Sequence, residues 1–193
     1  MITTLTADVL VAGTAGGVGT TTVTALLFDA FRRDSAGAAR LFDHSAGELG
    51  LRLPEGDDVP VLNSGLALHD LGAHAGSAVA RLDDPRALLI LVAPATPLGC
   101  VAADQVLEQV VERHGGSQLR RVLVAAVGVF GRHRIAPSLD ALRSRVGARS
   151  VILLPQDRSL AAGGRIPTIR LTTHTEQAQR QLTAILRERL RSL

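Results

Sequence analysis

A glycine-rich segment near the amino terminus is the part of the sequence best suited to bind an anion. Its residues are Gly13, Thr14, Ala15, Gly16, Gly17, Val18, Gly19, Thr20, Thr21 and Thr22. Glycines let the backbone wrap closely around a ligand, and N–H groups at the start of a following helix point toward it. The spacing fits the phosphate-loop pattern G-x-x-x-x-G-K-[ST], except that Thr20 stands at the lysine position. The segment therefore predicts a vestigial phosphate loop over residues 13–22. Two alternatives stay open: a turn retained only for packing, and threonines that only cap the helix.

Two acids end segments of strand length close to this loop in the predicted fold. Asp43 closes residues 39–43, and Asp70 closes residues 66–70. In open parallel sheets, the carboxyl ends of the strands form the edge where ligands bind. The Thr21 hydroxyl and the carboxylates of Asp43 and Asp70 would then be available to hold Mg²⁺ and its water shell. The alternative is that both acids cap helices or accept hydrogen bonds from loop amides.

Apolar runs of strand length alternate with segments of helical spacing, and this alternation indicates the fold class. The predicted strands are 8–12, 39–43, 66–70, 88–93, 121–129 and 150–154, and the predicted helices are 20–33, 102–113, 137–146 and 176–190. Residues 45–64, with several Gly, Asp and Pro, are predicted to be loop or irregular structure. Together with the phosphate loop after the first strand, the pattern predicts one α/β domain over residues 1–193, doubly wound in three α/β/α layers around a mostly parallel sheet, of the P-loop NTPase type.

The composition narrows the classes of function. The chain has 193 residues and no lysine, so all 21 basic residues are arginine, and the net charge is only +3. Aromatic residues make up 2%, which argues against a base-stacking surface and makes nucleic acid an unfavoured partner. The single Cys100 excludes an internal disulfide, and Pro94 and Pro97 interrupt the longest apolar stretch. We expect a cytoplasmic protein, with Cys100 either a buried inert thiol or a somewhat acidic one at a helix start.

Several landmarks, in the same order, resemble the MinD/ParA family, the P-loop ATPases of the SIMIBI class with a deviant Walker A loop. The family's loop is K-G-G-x-G-K-[ST], and Gly16, Gly17, Gly19 and Thr21 match it. Residues 41–45 resemble its D-x-D, residues 70–72 its switch II acid, and residues 94–99 the loop after its fourth strand. Residues 154–160 resemble its late IP-x-D segment, and residues 164–167 its G-x-P. The resemblance covers almost the whole chain and implies the fold of that family.

The departures from the family pattern fall on the residues that the resemblance would assign to ATP chemistry. Ala15 takes the place of the signature lysine, Thr20 that of the phosphate lysine, and Ser45 that of the second acid of D-x-D. The family's adenine-binding Asn has no counterpart in residues 125–128. Removing charges that stabilise phosphoryl transfer typically costs orders of magnitude in rate. The departures thus predict no catalytic residues and little or no ATP hydrolysis.

The resemblance implies a function in spatial positioning. We expect a non-catalytic bacterial relative, a pseudo-ATPase, that acts as a scaffold or positioning partner for a septum, pilus or secretion machine, as the CpaE- and TadZ-like relatives with degenerate loops do. It would bind a protein partner or an active paralogue, or form a homodimer, and would need no cofactor beyond a weakly bound anion, ATP or Mg²⁺. The alternative is a weak Mg-ATP-binding ATPase in positioning or DNA segregation, with Arg158 or Arg165 doing the work of the lysine.

Two further features have simpler interpretations that compete with a functional one. His44, His69 and His74 lie near the acids, but their spacing fits no standard metal pattern, so surface histidines are the favoured interpretation. The final helix has an apolar face and several arginines elsewhere. It is expected to pack on the sheet rather than to lie on a membrane surface, because its apolar face carries no Trp or Phe to anchor it. The apolar face consists of Ala178, Leu182, Ile185, Leu186 and Leu190.

Overall fold

Six strands form one parallel sheet in a computed structural model that describes residues 7–33, 39–45, 48–53, 65–129, 135–166 and 170–193. The strands are β1 (Ala7–Gly13), β2 (Arg40–Asp43), β3 (Leu66–Asp70), β4 (Ala87–Pro94), β5 (Val122–Val127) and β6 (Val151–Leu154). Their order is β2-β3-β1-β4-β5-β6, and every pairing is parallel. Because β1 lies between β3 and β4, the segment that follows it emerges at the centre of the carboxyl edge.

Helices cover both faces of the sheet. They are α1 (Thr20–Arg33), α2 (Glu48–Arg52), α3 (Ala75–Arg81), α4 (Pro97–His114), α5 (Ala136–Val146), α6 (Arg158–Ala161) and α7 (Thr173–Leu190), with short 3-10 turns at Gly116–Arg121 and Ala148–Ser150. Helices α1 and α7 pack on one face, and α3, α4 and α5 pack on the other. The three-layer α/β/α architecture predicted from the sequence is confirmed.

The alternation of strand side chains explains why β1 is apolar throughout its centre. Val9 and Val11 face α1 and α7, whereas Leu10 and Ala12 face α3 and α4. All four are at most 2% exposed. A strand covered on both faces must be apolar at successive positions, which gives the continuous runs seen in the sequence.

Several helices differ from the sequence prediction. Helix α6 was not predicted, and α7 begins at Thr173 instead of residue 176. Helix α2 lies inside the stretch 45–64 that was predicted to be irregular, of which 46–47 and 54–64 fall outside the described residues, and α3 was not predicted. Helix α4 begins at Pro97 instead of residue 102. The cause is Thr96, whose hydroxyl accepts a hydrogen bond from the Gly99 amide at 3.0 Å and caps the helix, while Pro97 fits its first turn. Of the two prolines that interrupt the apolar stretch, Pro97 begins α4 and Pro94 ends β4.

The apolar face of α7 is buried against the sheet and α1. Ala178, Leu182, Ile185 and Leu186 belong to the same core as Leu27. Gln179 fixes the helix further, since its Nε2 donates to the Leu26 carbonyl at 2.7 Å. The last helix therefore packs on the sheet, as the sequence analysis expected. Within the described ranges, none of the helices combines the length and apolar character needed to cross a bilayer.

Candidate functional site

The glycine-rich segment leaves β1 between the two neighbouring strands and is held there by main-chain hydrogen bonds. The Gly13 amide donates to the Gly72 carbonyl at 2.7 Å, and the Thr14 amide donates to the Val92 carbonyl at 2.9 Å. Gly17 and Gly19 have φ angles of 72° and 94°, which only glycine adopts without strain. Helix α1 then starts at Thr20, and its first amides lack acceptors within the helix. A glycine-rich turn that leads into a helix in this way presents backbone amides suited to an anion.

Thr20, at the position of the phosphate lysine, lies against the beginning of the loop. It is 6% exposed, and its hydroxyl packs on Gly13, where it would collide with an added Cβ. The side chain of Thr20 is therefore short, neutral and in contact with the backbone. It supplies no charge to an anion on the loop.

Two cavities flank the loop. The first, here called the apolar cavity, has a volume of about 480 Å³ and is lined by Val127, Leu154, Pro155 and Leu160 among others. The second, the polar cavity, has a volume of about 690 Å³ and is lined mainly by residues with polar or small side chains, together with Leu51. These include Ala15, Thr20, Thr21, His44, Ser45 and His74. Five residues line both cavities: Gly16, Gly17, Gly19, Thr22 and Arg52.

Asp70 lies fully buried at the end of β3, beside the loop. Its Oδ1 accepts a hydrogen bond from the Gly72 amide at 3.0 Å, while its Oδ2 has no hydrogen-bond partner within the described part of the chain. Burial raises the pKa of Asp70, and the Gly72 amide and the Thr21 hydroxyl offset part of that rise. Asp43 is close enough to raise the pKa of Asp70 further. The fold thus brings Thr21, Asp43 and Asp70 together at the carboxyl edge.

The Asp43 carboxylate accepts hydrogen bonds from residues that follow it in the chain. Its Oδ1 accepts from the amide and the hydroxyl of Ser45, at 2.7 and 2.6 Å, and its Oδ2 accepts from the Leu49 amide at 3.2 Å. These contacts match the loop-amide alternative, because Asp43 binds the first turn of α2. Ser45 is neutral and directs its hydroxyl to Asp43. Among the described residues, no group of three or more His, Cys, Asp or Glu side chains is arranged to hold a metal ion.

The structure places a cation at the loop that the sequence reasoning missed. Arg52, at the end of α2, donates from Nε and Nη2 to the Thr22 hydroxyl at 3.1 and 2.7 Å. It also donates to the carbonyls of Leu160 at 2.6 Å and Gly164 at 2.8 Å. Arg158 and Arg165, the arginines nominated from the sequence, are exposed and line neither cavity. The sequence contains one indication that Arg52 could supply this charge: it is the only Lys or Arg between Arg40 and Arg81.

The far wall of the apolar cavity is where the resemblance would place an adenine-binding Asn. Gly128 lies there, and an added Cβ would be 2.5 Å from the Gln156 amide nitrogen. No side chain fits at this position without movement of the backbone. Nearby Asp157 accepts from the Thr172 amide at 2.9 Å and the Thr175 hydroxyl at 2.8 Å. Burial opposes its ionisation, but hydrogen bonds from Ser159, Thr172 and Thr175 outweigh burial and hold the pKa of Asp157 well below its usual value.

The histidines and the cysteine make local contacts. His44 Nε2 lies 3.1 Å from His69 Nδ1, and the His69 ring stacks on Phe42 with centroids 4.7 Å apart. His74 Nδ1 lies 2.9 Å from the Leu71 carbonyl oxygen. Cys100 is 3% exposed, and burial raises the pKa of its thiol, so it is an inert core residue and not an acidic thiol.

Comparison with solved structures identifies the fold. The ParA family ATPase from Chlorobium tepidum TLS matches with a TM-score of 0.63 at 13% identity, over 93% of this chain and 98% of that one. Apo McdA from Cyanothece matches with a TM-score of 0.56 at 15% identity, over 94% and 99%. The ATP complex of Cyanothece McdA(D38A) matches with a TM-score of 0.55 at 11% identity, over 94% and 96%.

The chain has a ParA-type fold. No protein-family model matches the sequence, and neither does any curated protein. At these identities the likeness is one of fold, and it spans nearly the whole of both chains. The ParA-type fold places the loop, Asp43 and Asp70 at one edge, as the sequence predicted for such a sheet.

Proposed function

We propose that this chain is a non-catalytic relative of the MinD/ParA ATPases that acts as a scaffold or positioning partner, for a machine such as a septum, a pilus or a secretion system. The observation that carries the proposal is the position of Thr20. Its hydroxyl packs on Gly13, so the loop keeps its shape while the side chain that would neutralise phosphate charge is absent. We infer that residues 1–193 form one domain that acts in the cytoplasm, where a free buried thiol such as Cys100 is ordinary.

The other two positions that depart from the family pattern also support a non-catalytic function. Ala15 carries no charge, and Ser45 is a neutral residue that donates to Asp43. Phosphoryl transfer depends mainly on positioning and on charges that stabilise the transition state. Because three separate side chains lack those charges, one replacement cannot recover the reaction.

No cofactor is required by this proposal, yet the site retains groups that fit an anion and a divalent cation. The turn at residues 16–19 and the start of α1 offer amides to a phosphate-type anion. The Thr21 hydroxyl and the unpartnered Oδ2 of Asp70 would hold Mg²⁺ together with phosphate oxygens and water. Mg²⁺ bound there supplies positive charge to phosphate oxygens. The contribution of the chain itself is to orient the anion on its amides.

A protein partner at the carboxyl edge is part of the proposal. Large apolar side chains are exposed there. Leu51, in α2 and lining the polar cavity, is 70% exposed, and Leu98, in the first turn of α4, is 79% exposed. Exposed apolar residues beside a cavity favour protein contact. The occupant we propose is a second copy of this chain or an active paralogue with the same fold. Nucleic acid is not favoured, since the net charge is +3.

The decisive experiment compares ATP, ADP and pyrophosphate by isothermal titration with Mg²⁺ present, together with phosphate release from ATP. We expect millimolar binding of pyrophosphate, no tighter binding of ATP, and phosphate release at background. A micromolar dissociation constant for ATP, tenfold or more below that for pyrophosphate, would contradict the proposal. Measurable turnover would contradict it as well.

The second candidate function is a weak Mg-ATP-binding ATPase in positioning or DNA segregation. It is favoured by Arg52, a cation that lines both cavities, and by the volume of the apolar cavity beside the loop. The same titration separates the two candidates, because only the second gains affinity from the nucleoside. One of the matching structures, McdA(D38A), is an ATP complex.

A further inference from the structure

The guanidinium of Arg52 lies among neutral oxygens. Its hydrogen bonds go to the Thr22 hydroxyl and to the carbonyls of Leu160 and Gly164. In the part of the chain that the structure describes, no carboxylate forms an ion pair with it. Arg52 is half-buried, and burial lowers its pKa. A partly buried cation without an anionic partner favours binding of an anion.

The position of Arg52 connects this charge to the loop. Arg52 and three loop glycines, Gly16, Gly17 and Gly19, line both the apolar and the polar cavity. Its hydrogen-bond acceptor Thr22 lies in the first turn of α1, directly after the loop. An anion on the loop amides would therefore lie in a space that Arg52 also lines.

We propose that Arg52 supplies the positive charge of the anion site, holding a phosphate-type anion between its guanidinium and the amides of residues 16–21. The inference rests on the proposed anion-binding function of the loop and names the side chain responsible for it. A guanidinium presents donors in a planar fork that matches the oxygens of a phosphate group, and such charge-assisted hydrogen bonds are among the stronger ones. The charge comes from α2 and not from the loop itself.

Binding would alter the contacts that Arg52 makes in the free protein. Nη1 and Nη2 hold the carbonyls of Gly164 and Leu160, while the Arg52 carbonyl accepts from the Ile166 amide at 3.0 Å. An anion competes for the guanidinium but not for the main-chain bond. The segment 160–164 is then released from the side chain while α2 stays attached through Ile166. Anion binding is thereby coupled to the wall of the apolar cavity, to which Leu160 belongs.

The test uses pyrophosphate as the probe with three variants of the full chain. Arg52→Gln removes the charge, Arg52→Lys keeps it, and Arg158→Gln is the control, because Arg158 is exposed and lines neither cavity. At fixed ionic strength we expect Arg52→Gln to bind pyrophosphate at least about tenfold more weakly, since a charge-assisted hydrogen bond contributes that much. Arg52→Lys should lose less, and Arg158→Gln should bind as the wild type does.

A second measurement covers the case in which Arg52→Gln does not fold. In the wild-type chain, the Nε–Hε NMR signal of Arg52 should move as pyrophosphate is added, and that of Arg158 should not. Pyrophosphate affinity unchanged in Arg52→Gln, or an unmoved Arg52 signal at saturation, would overturn the inference, as would the absence of any anion binding. ATP turnover in the wild type would contradict the proposed function instead, so the two failures are distinguishable.

Discussion

The hydroxyl of Thr20 packs directly onto Gly13, and a Cβ added to Gly13 would collide with it. The same Cβ would also lie 2.7 Å from a methyl group of Val18. Gly13→Ala should therefore lower the free energy of unfolding by about 1–3 kcal/mol, the usual cost of overpacking. It should also distort the loop and abolish pyrophosphate binding. Urea denaturation and isothermal titration measure the two effects.

Gly16 provides the matched control in the same loop. An added Cβ there meets nothing within 4 Å, and its φ is not positive. Gly16→Ala should change stability by no more than about 0.5 kcal/mol, the range of ordinary surface substitutions. Equal losses of stability in Gly13→Ala and Gly16→Ala would mean that the contact between Thr20 and Gly13 does not determine which substitutions the loop tolerates.

Restoring the lysine alone should not restore ATP hydrolysis. In Thr20→Lys the loop regains its phosphate cation, but Ala15 and Ser45 remain neutral, and Ser45 still donates to Asp43. We expect tighter pyrophosphate binding with phosphate release still at background. ATP turnover clearly above that of the wild type would show that the missing lysine alone accounts for the lack of hydrolysis.

Leu27 tests the placement of α1. This residue of α1 is fully buried against the sheet and α7. Leu27→Asp places a charge there without a partner, and we expect a loss of about 3–5 kcal/mol, enough to unfold a marginal domain. Leu98→Asp is the control, because this side chain is 79% exposed in the first turn of α4, where an acid is tolerated. Similar melting temperatures for the two variants would contradict this core.

Two buried acids should respond to pH in opposite directions. The folded pKa of Asp157 is lowered, so the unfolded chain takes up its proton first, near the ordinary value of about 4. Its stabilising contribution is complete above that pH and decreases as the pH falls below it. Asp157→Asn should lose about 1–3 kcal/mol at pH 7, because the hydrogen bonds to α6 and α7 weaken. It should also reduce the loss of stability in acid.

Asp70 has a raised folded pKa, so its contribution has the other sign. The folded chain binds the proton more tightly than the unfolded chain, and stability from this group rises as the pH falls through the folded pKa. Asp70→Asn should therefore increase stability at pH 7, while weakening any Mg²⁺ dependence of pyrophosphate binding. Denaturation curves at pH 4 to 8 check both signs. A stability loss at pH 7 would show that the hydrogen bonds from the Gly72 amide and the Thr21 hydroxyl outweigh the cost of burying the Asp70 charge.

The fold and the loop could be predicted because their signals are local. Buried parallel strands give continuous apolar runs, and the glycines with positive φ are required by the turn itself. The cation at the site could not be predicted. Arg52 lies on a helix of five residues inside a polar, glycine-containing stretch, and its partners Leu160 and Gly164 are far away in sequence. Arg158 and Arg165 were nominated because they belong to that distant segment, but only the fold shows which arginine reaches it.

The central position of β1 also determines when the loop can take shape. Val11 pairs with Asp70 in β3 and with Ile90 in β4, so both neighbours of the first strand are synthesised long after it. Long-range parallel pairing is slow, because the intervening chain must close before any contact forms. The glycine-rich turn therefore cannot adopt its anion-binding geometry on a nascent chain that stops before β4. Truncated translation products ending before Ala87 should not be retained on an immobilised phosphate resin, whereas the full chain should.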